Sequence, residues 1–180
     1  GIDIKDFSIL LEPIGKNTAP AITIAALKAL EKYSDPLLIV LASDHEIRNN
    51  KIFIDALNSG RKYALDDKLV TFGMIPTSPA TGYGYIKASK ALSEKSFKGE
   101  KIEEFLEKPN FEKAKELIKN KKFSWNSGIF MFKAKTLLDE IKKFSPKILE
   151  NCINSLRESE NDLDFHRLNK NAFEKCPNES

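Results

Sequence analysis

One apolar run in the first half of the chain constrains the fold more than any other feature of the sequence. Residues 37–43 read LLIVLAS and hold a single polar side chain. A strand of this kind is covered on both faces, because a solvated face would need polar residues at alternate positions. The run therefore predicts a central strand of an α/β sheet with helices on both sides.

Strand and helix signals alternate around this run. Residues 6–12 (DFSILLE) form a second apolar run, which we expect to be another central parallel strand. Between the two, Thr18 can cap a helix that has Pro20 in its first turn. Asn50 can cap a second helix, and residues 69–75 (LVTFGMI) predict a third strand. The first half is thus predicted to be doubly wound.

The second half of the chain changes character after Pro76, where a loop rich in Thr, Ser, Pro and Gly begins. Shorter strands are predicted over residues 85–88 and 101–107, and a buried one over residues 128–133 (GIFMFK). Helices are predicted after the cap Asn110, over residues 134–144 and from Ser145-Pro146. From residue 158 onward the tail is polar and weakly patterned.

Composition excludes several classes of protein. No apolar run among the 180 residues approaches the roughly 18 that a membrane-spanning helix needs, so we expect a soluble, cytoplasmic protein. The 29 basic and 26 acidic residues are mixed along the chain, which argues against nucleic acid as a partner. Two cysteines without CxxC spacing and two histidines do not make a disulfide scaffold or a zinc site. Because the chain starts at Gly1 without methionine and stops at Ser180, we expect both ends to be cuts.

Polar residues that directly follow the apolar runs are the candidate ligand-binding residues, since ligands of open α/β sheets bind beyond the carboxyl ends of the strands. In segment 12–20 (EPIGKNTAP), Glu12 ends a strand and a turn leads into a helix whose free N–H groups suit an anion or a base carbonyl. An ordinary turn with a helix cap explains the same segment. Asp44, after the most apolar strand, can hold Mg²⁺ together with substrate phosphates, or it can simply cap the next segment.

Three further segments carry polar groups at strand ends. Segment 81–86 (TGYGYI) has two glycines where a backbone could approach a ligand, or where a strand simply begins. Glu107 and Lys108 could bind a sugar hydroxyl and a phosphate, although any exposed strand end carries such residues. Segment 125–128 (WNSG) sets an amide beside the single tryptophan, and a turn with an aromatic plug is the alternative.

Taken in order, these segments resemble the sugar nucleotidyltransferases, and among them the mannose-1-phosphate guanylyltransferases. The match runs through EPIGKNTAPA (12–21), SDH (43–45), TGYGYI (81–86), FLEKP (105–109), WNSGIF (125–130), DLDF (162–165) and FEKCP (173–177). Each motif is weak alone, but the ordered set covers nearly the whole chain. The resemblance implies a Rossmann-like, glycosyltransferase-A-like mixed sheet flanked by helices and incomplete at both ends. Residues 1–180 would then be the core of a nucleotidyltransferase domain.

The resemblance also implies a reaction, in which GMP passes from GTP to mannose 1-phosphate and gives pyrophosphate and GDP-mannose, a precursor for polysaccharide biosynthesis. Mg²⁺ is the implied cofactor, with Asp44 as its ligand. Asp44 and Lys108, the latter near the sugar phosphate, are the implied catalytic residues. The remaining implied roles are nucleotide binding by Glu12, Gly15, Asn17 and Thr18, and sugar binding by Gly84, Glu107 and Asn126.

The chain departs from the pattern of this family at several positions. Lys16 and Ala42 stand where relatives commonly have Arg and Pro, and a Lys cannot copy the fork of an Arg. The family's Gly-rich phosphate loop would precede Gly1, and its second metal-binding aspartate would follow Ser180. We therefore expect these residues alone not to suffice for catalysis.

Other interpretations stay open from sequence alone. The same fold could serve another base or hexose, such as uridine or glucose, or the chain could be a non-catalytic module that binds a nucleotide or sugar phosphate. A parent with an added mannose-6-phosphate isomerase domain and a homodimeric assembly are also open. Neither a dinucleotide-binding nor a P-loop signature occurs, which disfavours a dehydrogenase or a kinase.

Overall fold

The computed structural model describes residues 7–93 and 96–179, and their contacts divide into two units. The first unit is Gly1–Pro36 with Lys133–Ser180, and the second is Leu37–Phe132. In chain order the elements are β1 (Ile9–Leu11), α1 (Thr18–Lys32), β2 (Leu37–Val40), α2 (Asn50–Leu65), β3 (Val70–Met74), β4 (Tyr85–Ala88), β5 (Ile102–Leu106), α3 (Phe111–Leu117), β6 (Phe123–Lys133), α4 (Ala134–Phe144), α5 (Pro146–Arg157), β7 (Glu160–Asp162), β8 (Phe165–Arg167) and α6 (Lys170–Phe173).

The first unit packs helices α1, α4, α5 and α6 around one apolar core. Its three-stranded sheet has the order β1-β8-β7, with β1 parallel to β8 and β7 antiparallel to β8. Ile24 of α1 and Ile148 of α5 meet in the core with residues from the tail, because each helix presents an apolar stripe to the others. The buried members of this core are Ile24, Ile148, Cys152, Leu168, Phe173 and Cys176.

The second unit is built on a five-stranded sheet in which β6 pairs with three of the other four strands. The strands follow the order β2-β6-β4-β5, and β3 pairs with β6 as well. Both β3 and β4 run antiparallel to β6. Tyr85 and Phe123 of this sheet pack against Ala114 and Leu117 of α3 and form the unit's core. The polar ends of β3, β4, β5 and β6 are thereby held in fixed positions.

The structure confirms the mixed α/β class but corrects the arrangement of the central strands. Strands β1 and β2 lie in different sheets, so they do not form the predicted β-α-β unit. The reason is that β1 pairs with β8, a strand from the tail that its polar sequence did not reveal. Residue 6, where the first predicted strand begins, lies outside the described residues. The apolar run at β2 is not covered on both faces either: Ile39 is 45% exposed and Leu41 is 52% exposed.

Asparagines cap four of the helices, and two of these caps differ by one position from the prediction. Asn17, not Thr18, caps α1, and Asn49, not Asn50, caps α2. In each case the amide oxygen of the residue before the first helical turn accepts a backbone N–H, so the predicted residue becomes the first helical one. Asn110 caps α3 as predicted, with its Oδ1 2.9 Å from the backbone nitrogen of Lys113. Within residues 7–93 and 96–179, no helix is long and apolar enough to span a bilayer.

Candidate active site

In the first unit, the segment from Glu12 to Thr18 links β1 to α1 as predicted. Gly15 is open to solvent, since a side chain there would meet no atom within 4 Å. Asn17 has φ 67° and ψ −164°, a region that is almost reserved for glycine. In this conformation the Asn17 side chain caps α1, because its Oδ1 accepts the backbone N–H of Thr18 at 3.0 Å.

The N-terminus of α1 differs from the prediction of free N–H groups. Thr18 N–H is bonded to Asn17, and Ala19 N–H donates to the carbonyl oxygen of Glu179 at 3.1 Å. Pro20 carries no N–H. An anion would therefore have to displace the tail segment at Glu179 before it could use this helix end.

Burial shapes the electrostatics beneath this segment. The pKa of the Glu12 carboxyl lies above its ordinary value because surrounding chain removes water from it, although the residue as a whole is exposed. Cys152 and Cys176 are buried with their Sγ atoms 3.8 Å apart, and burial raises the pKa of both thiols. The negative charge of Glu12 raises these two pKa values further. The thiols therefore stay protonated at neutral pH.

In the second unit, the structure brings Gly84, Glu107 and Asn126 together. The backbone N–H of Asn126 donates to the carbonyl oxygen of Gly84 at 2.8 Å. A Cβ atom on Gly84 would lie 3.2 Å from Glu107 Oε2, so the carboxylate packs against bare backbone. Lys108, with φ 38°, turns its ammonium back to within 3.3 Å of Glu107 Oε1. The amide of Asn126 on β6 and the carboxylate and cation that follow β5 thus lie around the backbone of Gly84.

The amide of Asn126 is oriented by two donors on one side. Its Oδ1 accepts the hydroxyl of Thr71 at 3.0 Å and the backbone N–H of Gly128 at 3.4 Å. Among the described residues, the Nδ2 group has no partner, so both of its hydrogens can reach a ligand. Sequence reasoning missed Thr71, because a threonine in a strand has no pattern that marks it as functional.

Segments 81–86 and 125–128 contact each other through two aromatic residues, one of which directly precedes Asn126 in the chain. The ring centroids of Tyr83 and Trp125 are 5.1 Å apart, with the planes tilted by 49°. The hydroxyl of Tyr85 donates to the carbonyl oxygen of Ala80 at 2.8 Å and so holds the preceding loop. Within the described part of the chain, the indole N–H of Trp125 is buried without a partner.

Asp44 and His45 lie in an exposed turn after β2. Within residues 7–93 and 96–179, no three His, Cys, Asp or Glu side chains form a group that could hold a metal ion. A lone carboxylate still fits Mg²⁺ chemically, because this ion is commonly held by one or two carboxylates and substrate phosphates. His45 Cε1 lies 3.9 Å from where a Cβ atom on Gly128 would be, so the histidine approaches the segment that follows Asn126.

A cavity of about 540 Å³ also lies in the second unit, over strands β3 to β6. Val70, Ile86 and Ile102 give it a largely apolar lining. None of the predicted site residues is part of that lining. The predicted sugar-binding group therefore lies outside that cavity.

A family model and several curated relatives point to one group of proteins. The sequence model of the family described as nucleotidyl transferase matches residues 3–171. A mannose-1-phosphate guanylyltransferase from Salmonella muenchen is 46% identical over 96% of this chain, which spans only 36% of that protein. Other curated relatives are covered to a similar extent, so the chain spans about a third of their length.

Two solved structures have the same fold. A crystal structure described as mannose-6-phosphate isomerase from Helicobacter pylori superimposes with a TM-score of 0.84 at 34% identity, over 99% of this chain and 67% of that one. One described as mannose-1-phosphate geranyltransferase from Thermus thermophilus gives a TM-score of 0.77 at 28% identity, over 93% of this chain and 46% of that one.

Proposed function

Because this chain belongs to the nucleotidyl transferase family, we propose that it is the core of the nucleotidyltransferase domain of a mannose-1-phosphate guanylyltransferase. The protein would transfer GMP from GTP to mannose 1-phosphate and release pyrophosphate. The observation that carries the proposal is the group formed by Gly84, Glu107 and Asn126, which offers an acceptor and a donor to the hydroxyls of a sugar. The names of the relatives support this choice of sugar and base.

The reaction requires an in-line displacement at the α-phosphorus of GTP. An oxygen of the sugar phosphate forms the new bond to phosphorus as the bond to the pyrophosphate oxygen breaks. Glu107 accepts hydrogen bonds from sugar hydroxyls, and Asn126 Nδ2 donates to one. Lys108 can exchange its exposed ion pair with Glu107 for the sugar phosphate, because such pairs contribute little to stability. Its positive charge would then offset charge that builds up on the phosphates.

Base recognition falls to the segment between β1 and α1. Guanine presents two neighbouring N–H donors on its Watson–Crick edge, and the two oxygens of the Glu12 carboxylate match them. Gly15 lets the backbone approach the base, while Asn17 and Thr18 add polar groups at the start of α1. Another base would leave these polar groups without hydrogen-bond partners, so the site would reject that base strongly.

Mg²⁺ is the cofactor that this chemistry suits, with Asp44 as its ligand from this chain. When bound, such an ion neutralises phosphate charge and orients the phosphates. Asp44 supplies one anionic oxygen from an exposed turn, where phosphates can reach it.

The proposal is tested in the full-length protein with GTP, mannose 1-phosphate and Mg²⁺. We expect release of pyrophosphate, and Asp44→Ala should lower kcat by about 100-fold or more because a charged metal ligand is lost. Asp139→Ala, which removes an exposed carboxylate from α4, serves as the matched control and should keep full activity.

Two outcomes would contradict parts of this proposal separately. If the wild-type protein binds GDP-mannose but releases no pyrophosphate, the chain belongs to a binding module and not to an enzyme. If Asp44→Ala keeps its turnover, the assignment of the metal ligand is wrong while the reaction stands.

A further inference from the structure

We propose that Thr71 is a positioning residue that fixes which end of the Asn126 amide faces the sugar, an inference that rests on the proposed function. The hydroxyl of Thr71 lies 3.0 Å from Asn126 Oδ1, and both residues are half-buried. Thr71 belongs to β3 and lies outside the predicted binding segments. It therefore acts through Asn126 and does not need to contact the substrate.

The two ends of an amide are similar in shape but opposite in hydrogen bonding, so its neighbours decide its orientation. The backbone N–H of Gly128 points at Asn126 Oδ1 from 3.4 Å and can only donate. The Thr71 hydroxyl can donate either to Oδ1 or to the carbonyl oxygen of Ile129, which is 3.2 Å away. If the amide rotated, Nδ2 would be set against the Gly128 N–H, and the Thr71 hydroxyl would have to give up its bond to Oδ1 and donate to Ile129 instead. The Nδ2 hydrogens are thus directed to the ligand side.

The irregular pairing between β3 and β6 explains why Thr71 reaches this amide. The register between β3 and β6 shifts between Thr71 and Gly73, so that Thr71 is opposite Phe130 while Gly73 is opposite Asn126. An irregularity of this kind bends a strand and re-aims its side chains. Further hydrogen bonds hold the irregular part of β6 against β3. The Ser127 hydroxyl donates to the carbonyl oxygen of Phe72 and accepts the N–H of Ile129.

Thr71→Val in the full-length enzyme tests the proposal, because valine keeps the shape and removes the hydroxyl. We expect KM for mannose 1-phosphate to rise by about 2- to 13-fold, the equivalent of one net hydrogen bond. The value of kcat and KM for GTP should stay within about twofold of wild type, which a general loss of structure would not allow. Thr71→Ser keeps the hydroxyl and should restore the wild-type KM.

A double-mutant cycle with Asn126→Ala separates positioning from direct contact. If Thr71 acts only through Asn126, Thr71→Val adds no further increase in KM in the Asn126→Ala background. An equal increase in both backgrounds overturns the proposal, as does a Thr71→Ser variant that behaves like Thr71→Val or a Thr71→Val variant with unchanged KM.

A spectroscopic readout keeps this inference distinct from the proposed function. In ¹⁵N-labelled protein we expect one sharp pair of side-chain NH₂ signals for Asn126, and broadened or doubled signals in Thr71→Val as the amide rotates. Unchanged signals would overturn the positioning role even in an active enzyme. If the wild-type protein shows no activity but Thr71→Val changes the Asn126 signals as expected, the proposed function alone is refuted.

Discussion

Asn17 and Lys108 are two residues predicted to contact the substrates. Both have positive backbone φ angles, which residues other than glycine rarely adopt. Such angles cost free energy, and they persist where the surrounding structure determines the backbone, often at binding sites. At Asn17 the unusual backbone lets its own side chain cap α1, and at Lys108 it returns the ammonium to Glu107. Both residues were identified from the sequence by their motifs, but local spacing gives no indication of these backbone angles.

We expect Glu12→Gln to raise the stability of the protein and to lower its affinity for the nucleotide. Burial raises the pKa of the Glu12 carboxyl in the folded protein, so the stability linked to its proton is present below the unfolded-state pKa and is lost as pH rises through the folded-state pKa. At pH 7 the charged form is the penalised one. We therefore expect Glu12→Gln to raise Tm at pH 7 more than at pH 3.5, and to weaken GTP binding.

Thermal unfolding at the two pH values and calorimetry with GTP provide the measurements for Glu12. Glu150→Gln, on an exposed position of α5, is the matched control and should change neither Tm nor affinity in this way. A gain in Tm that is equal at both pH values would mean that burial of the charge at Glu12 is not the cause.

At the scale of elements, the close approach of β3 to β6 depends on Gly73. A Cβ atom at this position would lie 2.2 Å from Ser124 Oγ and 2.8 Å from Ser124 Cβ. The Ser124 Oγ could rotate away, but the Ser124 Cβ is fixed by the backbone of β6 and cannot withdraw unless the strand moves. At Gly84 the nearest atom would be Phe105 Cζ at 2.7 Å, but that ring is 52% exposed and can turn away.

Gly73→Ala and Gly84→Ala should therefore have different effects on stability. We expect Gly73→Ala to lower the free energy of unfolding by about 1–3 kcal/mol, as overpacking does. Gly84→Ala should cost less than about 1 kcal/mol but move Glu107 and raise KM for the sugar phosphate. Urea unfolding measures both, and Ser124→Gly should restore most of the stability of Gly73→Ala. Failure of that restoration would contradict the steric explanation.

Elements with a strong local signal could be predicted from the sequence, and those that depend on distant partners could not. Strand β4 and helix α4 have their predicted bounds, since alternation and apolar spacing lie within the segments themselves. Strands β7 and β8 are three residues each, and β8 pairs with β1 on one side and with β7 on the other. Short polar segments of this kind carry no periodicity, so tertiary pairing decides their structure.

For the whole molecule, the predicted binding residues fall into two groups, one in each unit. Glu12, Asn17 and Thr18 belong to the first unit, and Gly84, Glu107 and Asn126 belong to the second. Both groups stay predictions from motifs beside apolar runs: Glu12 ends such a run, whereas Gly84 and Asn126 precede the predicted strands over 85–88 and 128–133. The sequence could not reveal Thr71, whose proposed role depends on a register shift between β3 and β6.

A ligand panel tests each group separately, through a change of the base or a change of the sugar. If the first unit selects the base and the second selects the sugar, the full-length protein should bind GDP-mannose more tightly than UDP-mannose or GDP-glucose, by about tenfold or more for each change. Calorimetry gives the dissociation constants, and free mannose serves as the control without a nucleotide. Equal affinity for GDP-mannose and UDP-mannose would contradict a guanine-specific role of Glu12.

Strand β2 has a consequence for how this chain behaves at high concentration. In the described part of the chain it pairs with β6 alone, and Ile39 and Leu41 beside that edge are open to water. An unpaired strand edge with apolar neighbours is a template on which another chain can add a strand. Aggregation of this chain in concentrated solution should therefore start at β2 and grow by intermolecular β-sheet.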